Sequence, residues 1–232
     1  MDATLQKLLH LYGPVDLVAI VVLLSGWAGI GYWIEHSGKR PSTHALVAHY
    51  RARWMTEMIK RDNRIMDTNI LATLRQGASF FTSASMIGVG GLIALLGQAD
   101  TLQSLAADLS TDFAAPRVVW ETKLILVLLV LASAFLKFVW SHRLFAYCAI
   151  VIAATPIDPD DPDAVRYADK AAKLNIYAAR SFNRGLRAMY FALAALTWLL
   201  GAWVMIFTTL VTLSMLYRRE FSSQSRAALL DI

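Results

Sequence analysis

Long apolar runs separated by polar, proline-containing segments set the pattern of this sequence. All six prolines lie between the apolar runs. Because proline removes a helical hydrogen bond and clashes with the preceding turn, this placement predicts that each apolar run is a helix. Four runs reach the roughly 20 residues that are needed to cross about 30 Å of hydrocarbon. The predicted spans cover residues 15–34, 78–97, 120–140 and 187–215.

The last run carries a polar pattern of its own. No charged residue falls between Ala188 and Tyr217. Polar and small residues recur there at steps of three and four, which predicts a single helical face. Such residues let membrane helices approach closely or line a pore, since lipid offers no hydrophobic gain for helix contact. We name these positions the polar stripe, a candidate pore or lipid-headgroup face: Arg180, Asn183, Arg187, Tyr190, Thr197, Thr208 and Thr212.

Two parts of this candidate face have a simpler alternative. An arginine near the hydrocarbon boundary must find a partner or snorkel, so the basic start of the stripe indicates a site for an anion or a lipid headgroup. The simpler alternative is a cytoplasmic basic flank that only fixes the topology. Lys137, one turn beyond Ser133 in the third span, belongs to the same candidate group, and snorkelling is again the alternative.

Small residues at helical spacing predict close helix contacts, because they let two backbones approach each other. The predicted packing positions are Ser25, Gly29, Ala84, Gly88, Gly91 and Gly201.

Polar helical segments extend the spans at residues 42–77 and 141–186. In residues 42–77, apolar side chains at helical spacing oppose basic ones, which is typical of an amphipathic helix. Such a helix lies on an anionic leaflet or packs on a neighbouring helix, and the interleaved acidic residues favour packing. The helical pattern of the third span continues to Ala154, further than a bilayer requires. We therefore predict a single all-α membrane domain, residues 1–232, with four spans and long cytoplasmic helical extensions.

Basic residues predict the orientation. Eight lysines and arginines separate the first two spans, whereas Arg117 alone separates the second from the third. The positive-inside rule places the first of these segments in the cytoplasm. Four spans then leave both termini outside, although Arg218, Arg219 and Arg226 run against that placement.

Composition supports the membrane interpretation. Apolar residues make up 57% of the chain, and the net charge is +5. The basic clusters favour contact with anionic lipid at the cytoplasmic face, because the chain has no nucleic-acid-binding signature. The predicted partners are therefore the bilayer and either further copies of the chain or a membrane complex, and not nucleic acid.

Four sequence blocks resemble the bacterial membrane family catalogued as domain of unknown function 599. They are RARWMTEMIKRDNRIMDTNI (51–70), FFTSASMIGVGGLIALL (80–96), RSFNRGLRAMYFALAALTWLLG (180–201) and LYRREFSS (216–223). The resemblance covers nearly the whole chain. It implies a multi-pass protein of the bacterial inner membrane, and it implies no activity.

Catalytic and metal-binding patterns are absent from the sequence. His44 and His49 are five residues apart, one too many for two ligands on one helical face. The aspartates of residues 158–163 fit turn and helix-cap chemistry, since they lack the glycine and distant glutamate of a calcium loop. A haem between His36 and His142 is an alternative that their interfacial depth disfavours. We predict no enzyme, no metal and no cofactor.

Three function classes remain. The favoured interpretation is a homo-oligomeric channel- or transporter-like protein, in which the polar stripe faces a shared axis. The alternative is an accessory or scaffold subunit that docks through its cytoplasmic helices. The third class, a lipid- or cofactor-handling enzyme, would need a buried polar site that the sequence does not reveal.

Overall fold

The computed structural model describes residues 12–38, 40–98 and 116–230, and within these ranges the chain is helical and contains no strand. This confirms the predicted all-α class. The helices are α1 (Pro14–Glu35), α2 (Thr43–Ile59), α3 (Ile65–Gly97), α4 (Arg117–Ala154), α5 (Pro162–Leu196), α6 (Ala202–Phe221) and α7 (Gln224–Leu229), with a short 3₁₀ turn (Thr197–Leu200) between α5 and α6.

In the part of the chain that the structure describes, three helices are long and apolar enough to cross a membrane: α1, α3 and α4. They contain the predicted spans 15–34, 78–97 and 120–140. Many of their apolar side chains are exposed, among them Val21, Ile87 and Leu129. Exposed apolar faces of this length are what helices surrounded by hydrocarbon require.

The fourth predicted span, residues 187–215, is not one helix. Helix α5 gives way to the 3₁₀ turn, and Gly201 follows with φ +129° and ψ 157°, a conformation essentially reserved for glycine. The hydroxyls of Thr197 and Thr208 then lie 2.8 Å apart, and Arg219 donates to the Tyr190 hydroxyl at 3.2 Å. These pairs show that α5 and α6 form an antiparallel hairpin. The sequence pattern missed the turn because both legs are apolar and a lone glycine is usually tolerated in a helix.

Helix α1 packs along this hairpin and defines two ends of the bundle. At one end, Trp198 Nε1 donates to Asp16 Oδ1 at 2.6 Å. At the other, Glu35 meets Arg187. We call these the Asp16 end and the Glu35 end.

A second helical layer lies beyond the Glu35 end. It consists of α2, the first half of α3, the second half of α4 and the first half of α5, and Met55, Met58, Phe145 and Ile152 are buried in its core. Helix α2 packs on α5, as the interleaved charges predicted. Residues 42–77 are not one helix, however, because the chain leaves helical geometry at residues 60–64 and α3 then continues into the predicted second span.

Helix α5 joins the two layers without a break, and it runs antiparallel to α4 in close contact. A Cβ on Gly185 would lie 2.7 Å from Phe138 Cε1, so only glycine leaves room for that ring. The hydroxyls of Ser181 and Ser141 donate to the carbonyls of Lys137 and Ala178, both at 2.8 Å.

The described C-terminal segment lies beside the connection between α1 and α2. Arg40 Nη2 donates to the Phe221 carbonyl at 2.9 Å, and Arg226 Nε donates to the Pro41 carbonyl at 3.0 Å. The four-span prediction places these two segments on opposite sides of the bilayer, whereas in the structure they are in contact. The turn at Gly201 returns α6 to the Glu35 end and so brings them together.

Candidate functional site

A buried ion-pair network lies at the Glu35 end of the bundle. Arg184 Nε donates to Glu35 Oε1 at 2.8 Å, and Arg187 Nη2 donates to the same oxygen at 2.6 Å. Arg187 is only 4% exposed, whereas about half of the Arg184 side chain is accessible. A buried guanidinium needs such a partner, because leaving its charge unpaired is costly. Arg187 is thus engaged within the protein.

Helix α2 begins beside this network and is held there by Glu220. The backbone N–H of His44, in the first turn of α2, donates to Glu220 Oε2 at 3.1 Å. A carboxylate there accepts a hydrogen bond from an otherwise unpaired backbone N–H, and its negative charge interacts favourably with the positive end of the helix dipole. Asn183 Nδ2 lies 2.9 Å from His44 Nδ1. Burial, reinforced by the charge of Arg187, lowers the pKa of His44 to about 4, so its imidazole is neutral at pH 7.

A cavity of about 480 Å³ lies next to this group, between α2, α3 and α5. Helix α2 packs on α5 and α3 packs on α4, but α2 and α3 make few contacts with each other. The gap between them therefore stays open. Its lining combines apolar residues such as Val47, Leu74 and Phe182 with the basic residues Arg51 and Arg219.

Arg51 is the least satisfied cation of this cavity. Its Nη1 donates to Asn175 Oδ1, but its Nε is buried and has no hydrogen-bond partner. Burial lowers the pKa of Arg51, although a guanidinium keeps its charge at neutral pH. Among residues 12–38, 40–98 and 116–230, no carboxylate pairs with Arg51. A desolvated cation with a free donor is the arrangement that an anion completes.

Arg219 adds a second positive charge at the cavity wall. Its guanidinium carbon lies 5.8 Å from the centre of the Tyr190 ring. Glu220 is the acidic residue of the cavity lining, and it is directed at the α2 backbone. Two arginines thus line the cavity together with a carboxylate that already has a donor, and of the two Arg219 is engaged by Tyr190.

A family model described as "Protein of unknown function, DUF599" matches residues 18–225. The chain belongs to this family. The match confirms the resemblance that the four sequence blocks indicate. No curated protein and no solved structure matches the chain.

The polar stripe predicted for this DUF599 chain is divided by the hairpin. Its first members, Arg180, Asn183, Arg187 and Tyr190, lie on α5 around the Glu35 end. Of the threonines, Thr197 and Thr208 contact each other between the two legs, and Thr212 donates to the Thr208 carbonyl one turn back in α6 at 2.8 Å. Lys137 donates to Ser133 one turn back and lies 5.4 Å from the Trp27 ring centre.

The predicted packing residues have different surroundings. A Cβ on Gly88 would lie 2.9 Å from Leu131 Cδ2, so Gly88 does mark a close contact between α3 and α4. Gly29 and Gly91 have no neighbouring atom within 4 Å of an added Cβ in the described chain, and Ser25 is exposed. Close helix contacts of these three residues stay a prediction. Ala84 is half-buried on α3, and Gly201 forms the hairpin turn.

Sequence reasoning missed the residues that complete the DUF599 site. Glu35, His44, Arg51 and Glu220 come from three helices, the consecutive α1 and α2 and the distant α6. No spacing rule connects them, since each contact depends on how the helices pack. The signal that could have indicated the site was Glu35, an acidic residue at the exit of the first predicted span, because the positive-inside rule counts only lysine and arginine. In the described parts of the chain, no group of three or more His, Cys, Asp or Glu residues could hold a metal ion.

Proposed function

We propose that this DUF599 protein is a transporter-like membrane protein that takes up an anionic ligand in the cavity between α2, α3 and α5. Arg51 carries the proposal, because it lines the cavity, pairs with no carboxylate and leaves its Nε without a hydrogen-bond partner in the described chain. A bound oxyanion would supply both the charge and the acceptor. No catalytic step is proposed.

The hairpin favours a binding cavity over an open pore, because it divides the polar stripe that would have lined the pore. Thr197 and Thr208 contact each other between α5 and α6, so their hydroxyls are unavailable to a shared axis. A homo-oligomer stays part of the proposal. Helices of two copies would approach each other most closely at the exposed Gly29 and Gly91, where no side chain keeps the backbones apart.

We further propose that the Glu35 end lies in the cytoplasm. Arg40, in the connection between α1 and α2, shares this end with Arg218, Arg219 and Arg226, which supports that orientation by the positive-inside rule. The hairpin then gives an odd number of crossings, with residue 12 outside and the described C-terminal segment inside. The conflict that the C-terminal arginines created in a four-span topology no longer arises.

Thermal unfolding in detergent with phosphate-bearing probes tests the proposed function. The probes are inorganic phosphate, sn-glycerol 3-phosphate and phosphatidylglycerol. A ligand at 100 times its Kd adds about 2.7 kcal/mol, which raises Tm by roughly 5–10 °C for a chain of this size. We expect at least one probe to stabilise the native protein and Arg53→Gln, but not Arg51→Gln.

Arg53 is the matched control, because it lies on the same helix and is exposed. Equal stabilisation of the native protein and Arg51→Gln by every probe would overturn the proposal. A steady conductance of the purified protein in planar bilayers would favour the channel instead.

A docking subunit is the second candidate, and exposed apolar side chains favour it. Ile150, Ile157 and Val165 are 65%, 78% and 62% exposed at the outer end of the α4–α5 extension. A partner subunit would bury them. Stoichiometric co-purification with a membrane complex that is lost on Ile150→Glu would support this role, and a partner-free particle under mild detergent would count against it.

A further inference from the structure

We infer that the ligand of this cavity is the phosphate headgroup of an anionic membrane lipid, which enters sideways between α2 and α3 and leaves its acyl chains toward the bilayer. This inference rests on the proposed function and specifies its ligand. The shared chemistry is a phosphate group, which a soluble phosphate ester would also provide.

The polarity of the cavity favours an amphiphile. Val47, Leu74, Phe145 and Ile176 give it apolar walls, while Arg51 and Arg219 supply the positive charge. A small soluble anion gains nothing from apolar walls, whereas acyl carbon atoms that contact them leave water.

The cavity also reaches the level at which the predicted spans begin. Gly77 and Phe182 line it, and Gly77 immediately precedes the predicted span 78–97. The Phe182 ring packs against Phe81 and Phe138, with ring centres 5.6 and 5.5 Å apart, and both of these residues lie in predicted spans. The wall of the cavity that Gly77 and Phe182 form is therefore continuous with the predicted spans of α3 and α4.

An opening exists at the same level. No atom lies within 4 Å of a Cβ built on Gly77, so this face of α3 is not covered by α2. A lipid could place its headgroup at Arg51 and pass its chains over Gly77 without moving a helix. The missing side chain at residue 77 is what keeps this path free.

Native mass spectrometry in detergent tests the lipid assignment, with phosphatidylglycerol and phosphatidylcholine as probes and sn-glycerol 3-phosphate as a soluble competitor. A hydrogen bond to a charged group corresponds to roughly a 10–100-fold change in affinity. We expect phosphatidylglycerol binding to weaken by that factor in Arg51→Gln, to recover in part in Arg51→Lys, and to stay unchanged in Arg53→Gln. Phosphatidylcholine and the competitor should bind weakly to all four proteins.

Two glycine variants test the sideways path. Gly77→Leu places a side chain in the opening and should weaken phosphatidylglycerol binding. Gly90→Leu is the control, because Gly90 lies on the same helix and also has open space around it. Unfolding midpoints of both variants close to that of the native protein will show that each has folded.

The outcomes separate the two levels of the proposal. If sn-glycerol 3-phosphate binds through Arg51 as tightly as the lipid does, the lipid assignment is overturned and the proposed function stands. If no probe distinguishes Arg51→Gln from the native protein, both are overturned. If Gly77→Leu binds phosphatidylglycerol as the native protein does, the sideways path is refuted.

Discussion

Glu35 is the residue that holds the two arginines of α5 at the end of α1. Replacing it by Gln removes the counter-charge of Arg187, which is buried, and of Arg184, which is half-exposed. Breaking a buried pair from one side costs about 3–5 kcal/mol, whereas an exposed pair contributes under about 1 kcal/mol. We therefore expect Glu35→Gln to lower the unfolding midpoint in detergent strongly and Arg184→Gln to lower it slightly. Equal effects of the two variants would show that Arg187 is not the residue that needs Glu35.

His44 makes the stability of the protein depend on pH. Its pKa is about 4 in the folded protein, against about 6.5 in an unfolded chain. The unfolded chain therefore binds more protons between these values, and stability falls as the pH falls. Between about pH 7.5 and about pH 5 the loss is on the order of 2 kcal/mol.

Chemical unfolding at the two pH values measures this loss. His44→Gln should remove most of it, while His49→Gln should not, since His49 is exposed on the same helix. If the loss of stability at low pH persists in His44→Gln, it arises from the titration of another group.

At this scale the sequence indicates which residues of one helix share a face, but not what they contact. Asn183, Arg187 and Tyr190 share one face of α5 at the Glu35 end, and their role as a pore or headgroup face stays a prediction. Their partners Glu35, His44 and Arg219 come from other helices. Helical periodicity relates residues within an element and carries no information on which elements meet.

Among the elements, the α5–α6 hairpin changes the interpretation of the chain most. It depends on Gly201, whose φ and ψ are those that only glycine adopts without strain. Gly201→Ala should destabilise the protein by about 1–3 kcal/mol, measured as a lower unfolding midpoint. Gly90→Ala is the matched control and should be neutral or slightly stabilising, because alanine favours a helix by roughly 0.5–1 kcal/mol. If Gly201→Ala unfolds like Gly90→Ala, then Gly201 is helical and the hairpin is wrong.

The sequence predicted the three spans in α1, α3 and α4 because long apolar runs bounded by proline or charge leave few alternatives. It failed at the turn for the opposite reason. Residues on both sides of Gly201 are apolar, so no change of polarity marks the turn, and the threonine periodicity happens to continue through it. A tertiary contact such as that between Thr197 and Thr208 is needed to distinguish a hairpin from a long helix.

For the whole molecule, the hairpin predicts where the chain ends emerge. In a Cys148→Ala background, single-cysteine variants Gly38→Cys and Ser222→Cys lie at the Glu35 end, and Gln98→Cys lies at the end of α3. An impermeant maleimide should label only Gln98→Cys in right-side-out vesicles and the other two in inside-out vesicles. Labelling of Ser222→Cys and Gln98→Cys from the same side would restore the four-span topology.

Fold class and family were predictable for the whole molecule, since composition, apolar runs and four sequence blocks all indicate them. The cavity was not. It exists because α2 packs on α5 while α3 packs on α4, and the sequence of α2 alone is equally consistent with a helix lying on a membrane surface. Arg51 becomes a candidate anion-binding residue only when the fold shows that its buried Nε has no hydrogen-bond partner.

The most direct test of the anion-binding cavity is an electron cryo-microscopy map of the protein in nanodiscs that contain phosphatidylglycerol. The account predicts headgroup density between α2 and α3, with a phosphate oxygen about 3 Å from the Arg51 guanidinium. A map in which Arg51 pairs with a carboxylate of the chain, and lipid density is absent from the cavity, would contradict it.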